Sequence, residues 1–376
     1  MMNPIQMVDL KSQYLRIKPE VDAAIQRVLD STAFIQGSPV HEFEEQLAQY
    51  AGSKQIVSCG NGTDALLVSL MSLGIEPGDE VITVPFTFVA SVEAIALLGA
   101  KPIFVDVCKD TFTIDASLLE AAITPKTKAI IPVHLYGQCA DMEQILDIAK
   151  KHNVKVIEDA CQAIGTPYTF SDGTTKQAGT MGNVGCLSFF PSKNLGCYGD
   201  GGAMMTDNEA LAERMRAICR HGSKVKYHHD YIGVNSRLDT LQAAVLQVKL
   251  RHLDEYIEKR RTTAQYYYNA LKEVVWLQLP EIKANTYHTF HQFTVKVKDG
   301  KRDSLKQYLA EKGISTMIYY PGSVHLQPAY RSLGYQEGDF PVSERLCKEV
   351  LSLPMHTELS KDQLQYICET IVNCPL

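Results

Sequence analysis

Apolar residues along this chain switch between two spacings. Near-continuous apolar runs at 55–58, 80–85, 102–107, 129–135 and 154–159 have the length and β-branched content of buried strands. Between them, the stretches from 63 onward, 89–98 and 142–152 place apolar residues at the spacing of a helix with one buried face. Upstream, 19–30 and 40–50 read as two helices, the second with Phe43, Leu47 and Tyr50 on one stripe. This alternation predicts an α/β fold with a mostly parallel central sheet and helices on both faces.

The pattern then changes. A long helical stretch over 238–271 carries Leu241, Val245, Val248 and His252 on one stripe. After it, 289–297 alternates like a strand, 302–312 reads as a helix stopped by Gly313, and 315–320 reads as another strand. The division expected is a large α/β domain with N-terminal helices over 1–250, then a connector helix and a small C-terminal α+β domain over 251–376. Internal repeats and low-complexity tracts are absent from the sequence.

Composition narrows the class. The 376 residues are 45% hydrophobic and 21% charged, ordinary for a globular enzyme. A net charge of −6 offers no basic footprint for nucleic acid or an anionic membrane. Arg251 to Arg261 is interleaved with Asp254, Glu255 and Glu258, which reads as a solvated helix face. Ten scattered cysteines, several inside strand-like runs, read as buried free thiols. No Cys-x-x-Cys pair suggests zinc, and His228 and His229, being adjacent, project poorly onto one ion, so no metal is expected. The N-terminus lacks a signal-like apolar core and no membrane-length apolar run follows, so a cytoplasmic protein is expected.

Three segments carry chemistry. Lys193 lies between the apolar run 184–190 and a glycine-rich turn, so its amine projects from a tight, dry loop; the alternative for any lysine is a surface turn. Val154 to Asp159 reads as a buried strand that delivers a carboxylate at its C-terminal end. Gly60-Asn61-Gly62-Thr63 opens a helix directly after a strand. Pyridoxal 5′-phosphate (PLP) requires these three things: an amine for its aldehyde, an anion for its ring nitrogen, and helix N-terminal amides for its phosphate. Ser188 adds a hydroxyl for the phosphate, and Phe88 can cover the ring by offset stacking. Each element alone has a plainer account as a helix cap, a turn or a core residue. Order and spacing along one α/β pattern are what join them, since ligands of such sheets bind at the carboxyl ends of the strands.

Taken with Pro85-Phe86-Thr87-Phe88, Pro132 to Gln138, Glu158-Asp159-Ala160, Ser188 to Gly202, Gly233 to Leu238 and Leu351 to His356, these motifs cover nearly the whole chain. The chain so resembles the DegT/DnrJ/EryC1/StrS sugar aminotransferases, which have PLP-dependent transferase fold type I. The resemblance is greatest to enzymes that aminate carbon 3 of UDP-linked 3-keto sugars. It implies amino transfer from glutamate, returned as 2-oxoglutarate, to a UDP-linked 3-keto-N-acetylhexosamine or its uronic acid, for surface polysaccharide or lipopolysaccharide. It places Gln162 by the cofactor's 3-oxygen and makes the working unit a homodimer with shared active sites, Asn235 reaching the partner's phosphate. Arg237 becomes a candidate for a carboxylate or phosphate, or a structural arginine, and Tyr319, Tyr320 and His325 candidates for the sugar nucleotide, or core residues. Carbon-4 enzymes of this kind commonly carry tyrosine after the loop asparagine and carbon-3 enzymes serine; here the residue is Ser236.

Rival readings are a 4-keto-6-deoxy or dTDP-3-keto sugar aminotransferase, a PLP sugar dehydratase, a non-catalytic regulatory homologue and a nicotinamide oxidoreductase. The dehydratases resembling this family replace the lysine with histidine, whereas Lys193 is present. Loss of chemistry would remove Lys193, Asp159 or the phosphate turn, and all remain. The Gly60 turn lacks the third glycine of a dinucleotide fingerprint, because Ala65 and Leu66 follow.

Overall fold

A computed structural model describes residues 4–376. Seven strands form the main sheet: β1 (Gln55–Cys59), β2 (Glu80–Thr83), β3 (Lys101–Phe104), β4 (Thr127–Ile130), β5 (Lys155–Asp159), β6 (Val184–Ser188) and β7 (Gly202–Thr206). Their order is β1-β7-β6-β5-β4-β2-β3. Only β7 runs antiparallel to its neighbours, pairing with β6 on one side and β1 on the other. The carboxyl ends of the other six strands therefore share one edge, where Cys59, Asp159 and Ser188 each end a strand.

Helices close both faces. Phe43 and Leu47 of α2 (Ser38–Ala51), Ile145 of α5 (Met142–His152) and Leu246 of α7 (Thr240–Leu250) join one buried cluster with the sheet. On the opposite face lie α3 (Gly62–Ser72), α4 (Ala90–Leu97) and α6 (Glu209–Ile218), contributing Leu66, Ile95 and Met215 to a second cluster. The N-terminal α1 (Leu10–Ser31) packs Val21 and Val28 against Val245 and Val248 of α7.

The long helix expected over 238–271 is two helices. Between α7 and α8 (Leu253–Leu271), His252 leaves helical geometry at φ −101°, ψ 0°. Through α8 the chain passes from one core to another: Ile257 belongs to the main cluster, while Tyr267 and Leu271 join a third with Phe293, Val295 and Leu351. That third cluster is built on β8 (Leu277–Gln278), β9 (Phe293–Val297) and β10 (Val350–Leu353), which pair antiparallel, with α9 (Arg302–Glu311) and α10 (Lys361–Val372) beside them. Ile5 also belongs to it, bridging to Ile314.

Other boundaries differ from expectation. The first helix begins at Leu10, because Asp9 caps it by accepting the Ser12 amide at 2.9 Å, and it runs through Pro19. No strand forms over 315–320, where only Met317 bridges to Ser352. That segment instead turns toward the main sheet, where Tyr319 and Tyr320 pack against the main cluster.

Candidate active site

Three strand ends and the segment after β2 enclose a cavity of about 750 Å³. Gly62, Thr63, Phe88, Asp159, Gln162, Ser188, Lys193, Tyr319 and Tyr320 all line it. Nine of the twelve residues singled out from sequence thus meet in one place, although they come from both halves of the chain.

Backbone packing fixes the turn that leads into α3. Asn61 caps the helix by accepting the Asp64 amide at 2.8 Å, which leaves the Gly62 and Thr63 amides, in the first turn, without intrahelical acceptors. A Cβ on Gly62 would stand 2.7 Å from the Ser188 Cβ, and one on Gly202 would stand 2.4 Å from the Asn61 carbonyl oxygen. Gly202 pairs with both Cys59 and Ser188, so β7 draws the ends of β1 and β6 together. The result is a cradle of backbone amides and a hydroxyl with a concavity that side chains would fill, and it suits a phosphate.

Lys193 stands on a turn pinned at its base, where the Cys197 amide donates to the Phe189 carbonyl at 2.8 Å. The Lys193 amide itself donates to the Phe190 carbonyl at 2.8 Å. Gly196 allows this turn to close, since a Cβ there would meet the Pro191 carbonyl oxygen at 2.4 Å. Loss of hydration lowers the pKa of the Lys193 amine, against the opposing pull of the Cys161 thiol and the Asp159 carboxylate.

Asp159 is buried, and both its oxygens are held. One accepts the Ser91 hydroxyl at 2.7 Å and the other the Cys161 amide at 3.2 Å. Gln162 accepts the Tyr136 amide at 2.7 Å and donates to the Tyr320 hydroxyl at 3.1 Å, while the Tyr136 hydroxyl donates to the Tyr319 carbonyl. Phe88 is 55% exposed in the cavity wall, its ring tilted 38° to that of Tyr320 at 6.2 Å. Such a face is available for an aromatic ring to lie on.

Three sequence candidates lie elsewhere. His325 is corrected: it is 1% exposed, its ring nitrogens pair with Ser323 at 2.8 Å and Glu344 at 3.1 Å, and aromatic residues Phe104, Tyr335 and Phe340 surround it. With both nitrogens engaged in a packed cluster it has no free group for a sugar. Arg237 lines a separate small cavity with Arg220, His41 and Glu44, and Asn235 is exposed outside both cavities. Ser236 is buried under the glycine turn before α3, accepting the Gly60 amide at 2.9 Å and donating to Asp64 at 2.6 Å. Its small size therefore serves that strut, and it does not line the main cavity.

Ser91, Tyr136, Cys161, His291 and Gln292 were missed from sequence and are in or against the cavity. Ser91 was the legible one, standing one helical turn after Phe88. His291 carried no signal, since only the folded third core brings it to the wall. Among the described residues no group of three metal-ligating side chains gathers.

Known proteins resemble this chain over nearly its whole length. The sequence profile of the DegT/DnrJ/EryC1/StrS aminotransferase family matches residues 15–372. A "pleiotropic regulatory protein" of Geobacillus stearothermophilus is 50% identical, over 98% of this chain and 97% of its own. The UDP-2-acetamido-2-deoxy-3-oxo-D-glucuronate aminotransferase of Pseudomonas aeruginosa is 47% identical over 98% of this chain and 100% of its own. Among solved structures, DesV of S. venezuelae superposes with a TM-score of 0.94 at 41% identity, covering 98% of each chain.

Proposed function

Because the chain belongs to the DegT/DnrJ/EryC1/StrS aminotransferase family, a family of PLP-dependent enzymes of transferase fold type I, we propose that it moves an amino group from glutamate to carbon 3 of a UDP-linked 3-keto-N-acetylhexosamine or its uronic acid. The observation that carries this reading is the meeting of Lys193, Asp159 and the α3 N-terminus around one cavity large enough for a cofactor and part of a nucleotide sugar. The substrate follows the Pseudomonas aeruginosa relative, whose likeness extends over its whole length.

PLP, when bound, withdraws electrons from the carbon that loses or gains a proton and carries the amino group between the two substrates. The residues supply the rest. The α3 amides with Thr63 and Ser188 hold the phosphate. Asp159 would present its carboxylate to the ring nitrogen, which would favour the nitrogen's protonated form. Phe88 would cover one ring face, and Gln162, held by Tyr136 and Tyr320, would meet the ring's oxygen. Lys193 would hold the aldehyde and, with Nζ free, would take up and return the proton that moves during amino transfer. A lowered pKa suits that task, because an ordinary lysine would stay protonated near neutral pH.

The functional unit in this reading is a homodimer in the cytoplasm. Phe34, Ile35, Tyr227 and Ile232 are exposed apolar residues that a second copy would cover. Asn235, exposed and outside its own cavity, is free to reach the partner's phosphate, and Arg237 to meet an anionic group of the nucleotide. All ten cysteines are free, in keeping with a reducing compartment. No helix among the described residues is long and apolar enough to cross a membrane.

The test is a panel of keto-sugar nucleotides, UDP- and dTDP-linked, offered with glutamate and read by product mass. Conversion of UDP-3-keto-N-acetylhexosamines to 3-amino sugars is expected. Ready amination of a 4-keto-6-deoxy sugar with every 3-keto substrate ignored would overturn the regiochemistry while sparing amino transfer.

A further inference from the structure

The chain that leads from β2 into the first turn of α4 does more than supply Phe88. Ser91 is 1% exposed, and its hydroxyl stands 2.7 Å from an Asp159 oxygen, 3.0 Å from the Thr87 hydroxyl and 3.4 Å from the Phe88 carbonyl. One hydroxyl proton serves one acceptor, and the carboxylate is both nearer and charged, so Ser91 donates to Asp159. Thr87, itself 3% exposed, then donates to Ser91. Two buried hydroxyls, Thr87 just before α4 and Ser91 in its first turn, thus run in series onto the carboxylate. On its other oxygen Asp159 has the Cys161 amide at 3.2 Å, so the group is held from both sides and cannot swing.

We propose that Ser91, backed by Thr87, is a positioning residue that aims the Asp159 carboxylate at the cofactor's ring nitrogen. It rests on the reading of Asp159 given above. Ser91 touches neither ring nor substrate; it acts through Asp159. Phe88 lies three residues before it, just ahead of α4, so ring stacking and ring protonation are set by one short stretch of chain. Without the Ser91 hydroxyl, Asp159 loses the donor that fixes its torsion, and the contact to the ring nitrogen weakens.

A ring-nitrogen contact is separated from general packing by comparing PLP with its 1-deaza analogue, in which a CH replaces that nitrogen. Dissociation constants of both are measured on the full-length protein for the wild type, Ser91→Ala, Ser91→Thr and Thr87→Val, with thermal melting as a check on folding. Wild type is expected to prefer PLP. Ser91→Ala should shrink that preference about tenfold, the effect of losing one hydrogen bond to a charged group, by weakening PLP and leaving the analogue unmoved. Ser91→Thr should restore most of it, and Thr87→Val should show a smaller loss in the same direction. Equal weakening of both ligands by Ser91→Ala and Thr87→Val, or no change in either, overturns the proposal. A wild type with no preference for PLP would instead overturn the reading of Asp159, and this inference with it.

Discussion

Gly62 and Ser188 touch with no side chain between them: a methyl group on Gly62 would stand 2.7 Å from the Ser188 Cβ and 3.1 Å from the Cys161 sulfur. The first residue of α3 and the last of β6 are thereby locked into one concave surface. Gly62→Ala should push the two apart and lower PLP affinity by more than about tenfold, whereas Ser188→Ala, removing one donor, should lower it only a few-fold. Titration of cofactor into the two variants checks this order, and the reverse order would count against a phosphate at the turn.

Lys193→Ala should abolish amino transfer and leave the melting temperature close to that of the wild-type protein without cofactor. The amine faces the cavity and makes no hydrogen bond to another side chain or carbonyl, so its removal leaves no unpaired partner behind. Turnover above about one-tenth of wild type would remove Lys193 from the mechanism, since a lost general base typically lowers rates by at least about a hundredfold.

Mixing inactive Lys193→Ala with inactive Asn235→Ala protein should partly restore activity. In a mixed dimer with shared sites, one site has both residues intact. Absence of rescue, with subunit exchange shown by mass spectrometry, would place Asn235 outside the partner's site.

Glu158 precedes Asp159 on β5 and faces the other way, fully buried. It accepts the Gly179, Met181 and Gly182 amides at 2.8, 2.6 and 2.5 Å and pairs with His134 at 2.8 Å. His134 accepts the Ala140 amide on its other ring nitrogen, so the nitrogen facing Glu158 carries the proton. Glu158→Ala should destabilise the protein by about 3 kcal/mol or more, because four donors lose their acceptor in the interior. Denaturant titration measures it, and a loss below about 1 kcal/mol, the size of one ordinary hydrogen bond, would contradict the network's role.

Burial, with the Arg260 charge adding to it, lowers the pKa of His356 to about 4 from the usual 6.5. The unfolded chain binds this proton at higher pH than the folded one, so its stabilising contribution is complete above pH 6.5 and lost as pH falls toward 4. His356→Gln should flatten the acid side of the stability profile in that window. An unchanged slope would show that other groups govern acid unfolding.

Much of this site was legible because PLP imposes separate demands that leave separate marks. A lysine in a dry turn, an acid ending a strand and a glycine turn opening a helix are local patterns. The parallel alternation of strands and helices then requires them to share one edge. Contacts set by tertiary packing left no such mark. His325 resembled Tyr319 and Tyr320 in position and polarity, yet Ser323 and Glu344 occupy its nitrogens. The break at His252 escaped the helical stripe because the apolar spacing continues through it, into a different core. Strand 315–320 failed for the converse reason: its residues have strand-like composition, but only Met317 pairs, with Ser352 of β10, before Ile318, Tyr319 and Tyr320 turn against the main cluster.

One consequence concerns the order in which the molecule can assemble. In the main sheet β1 has a single neighbour, β7, whose residues lie far along the chain. During synthesis, β1 and the glycine turn after it must wait until residue 206 has emerged before they have a place to dock. The phosphate cradle is therefore a late product of folding, completed by a closure of long sequence separation, the kind that slows folding and lengthens exposure of unpaired edges. An anion able to bridge the ends of β1 and β6 would reward that closure as it forms, so a phosphate seated at this turn would double as a clasp for the nascent sheet.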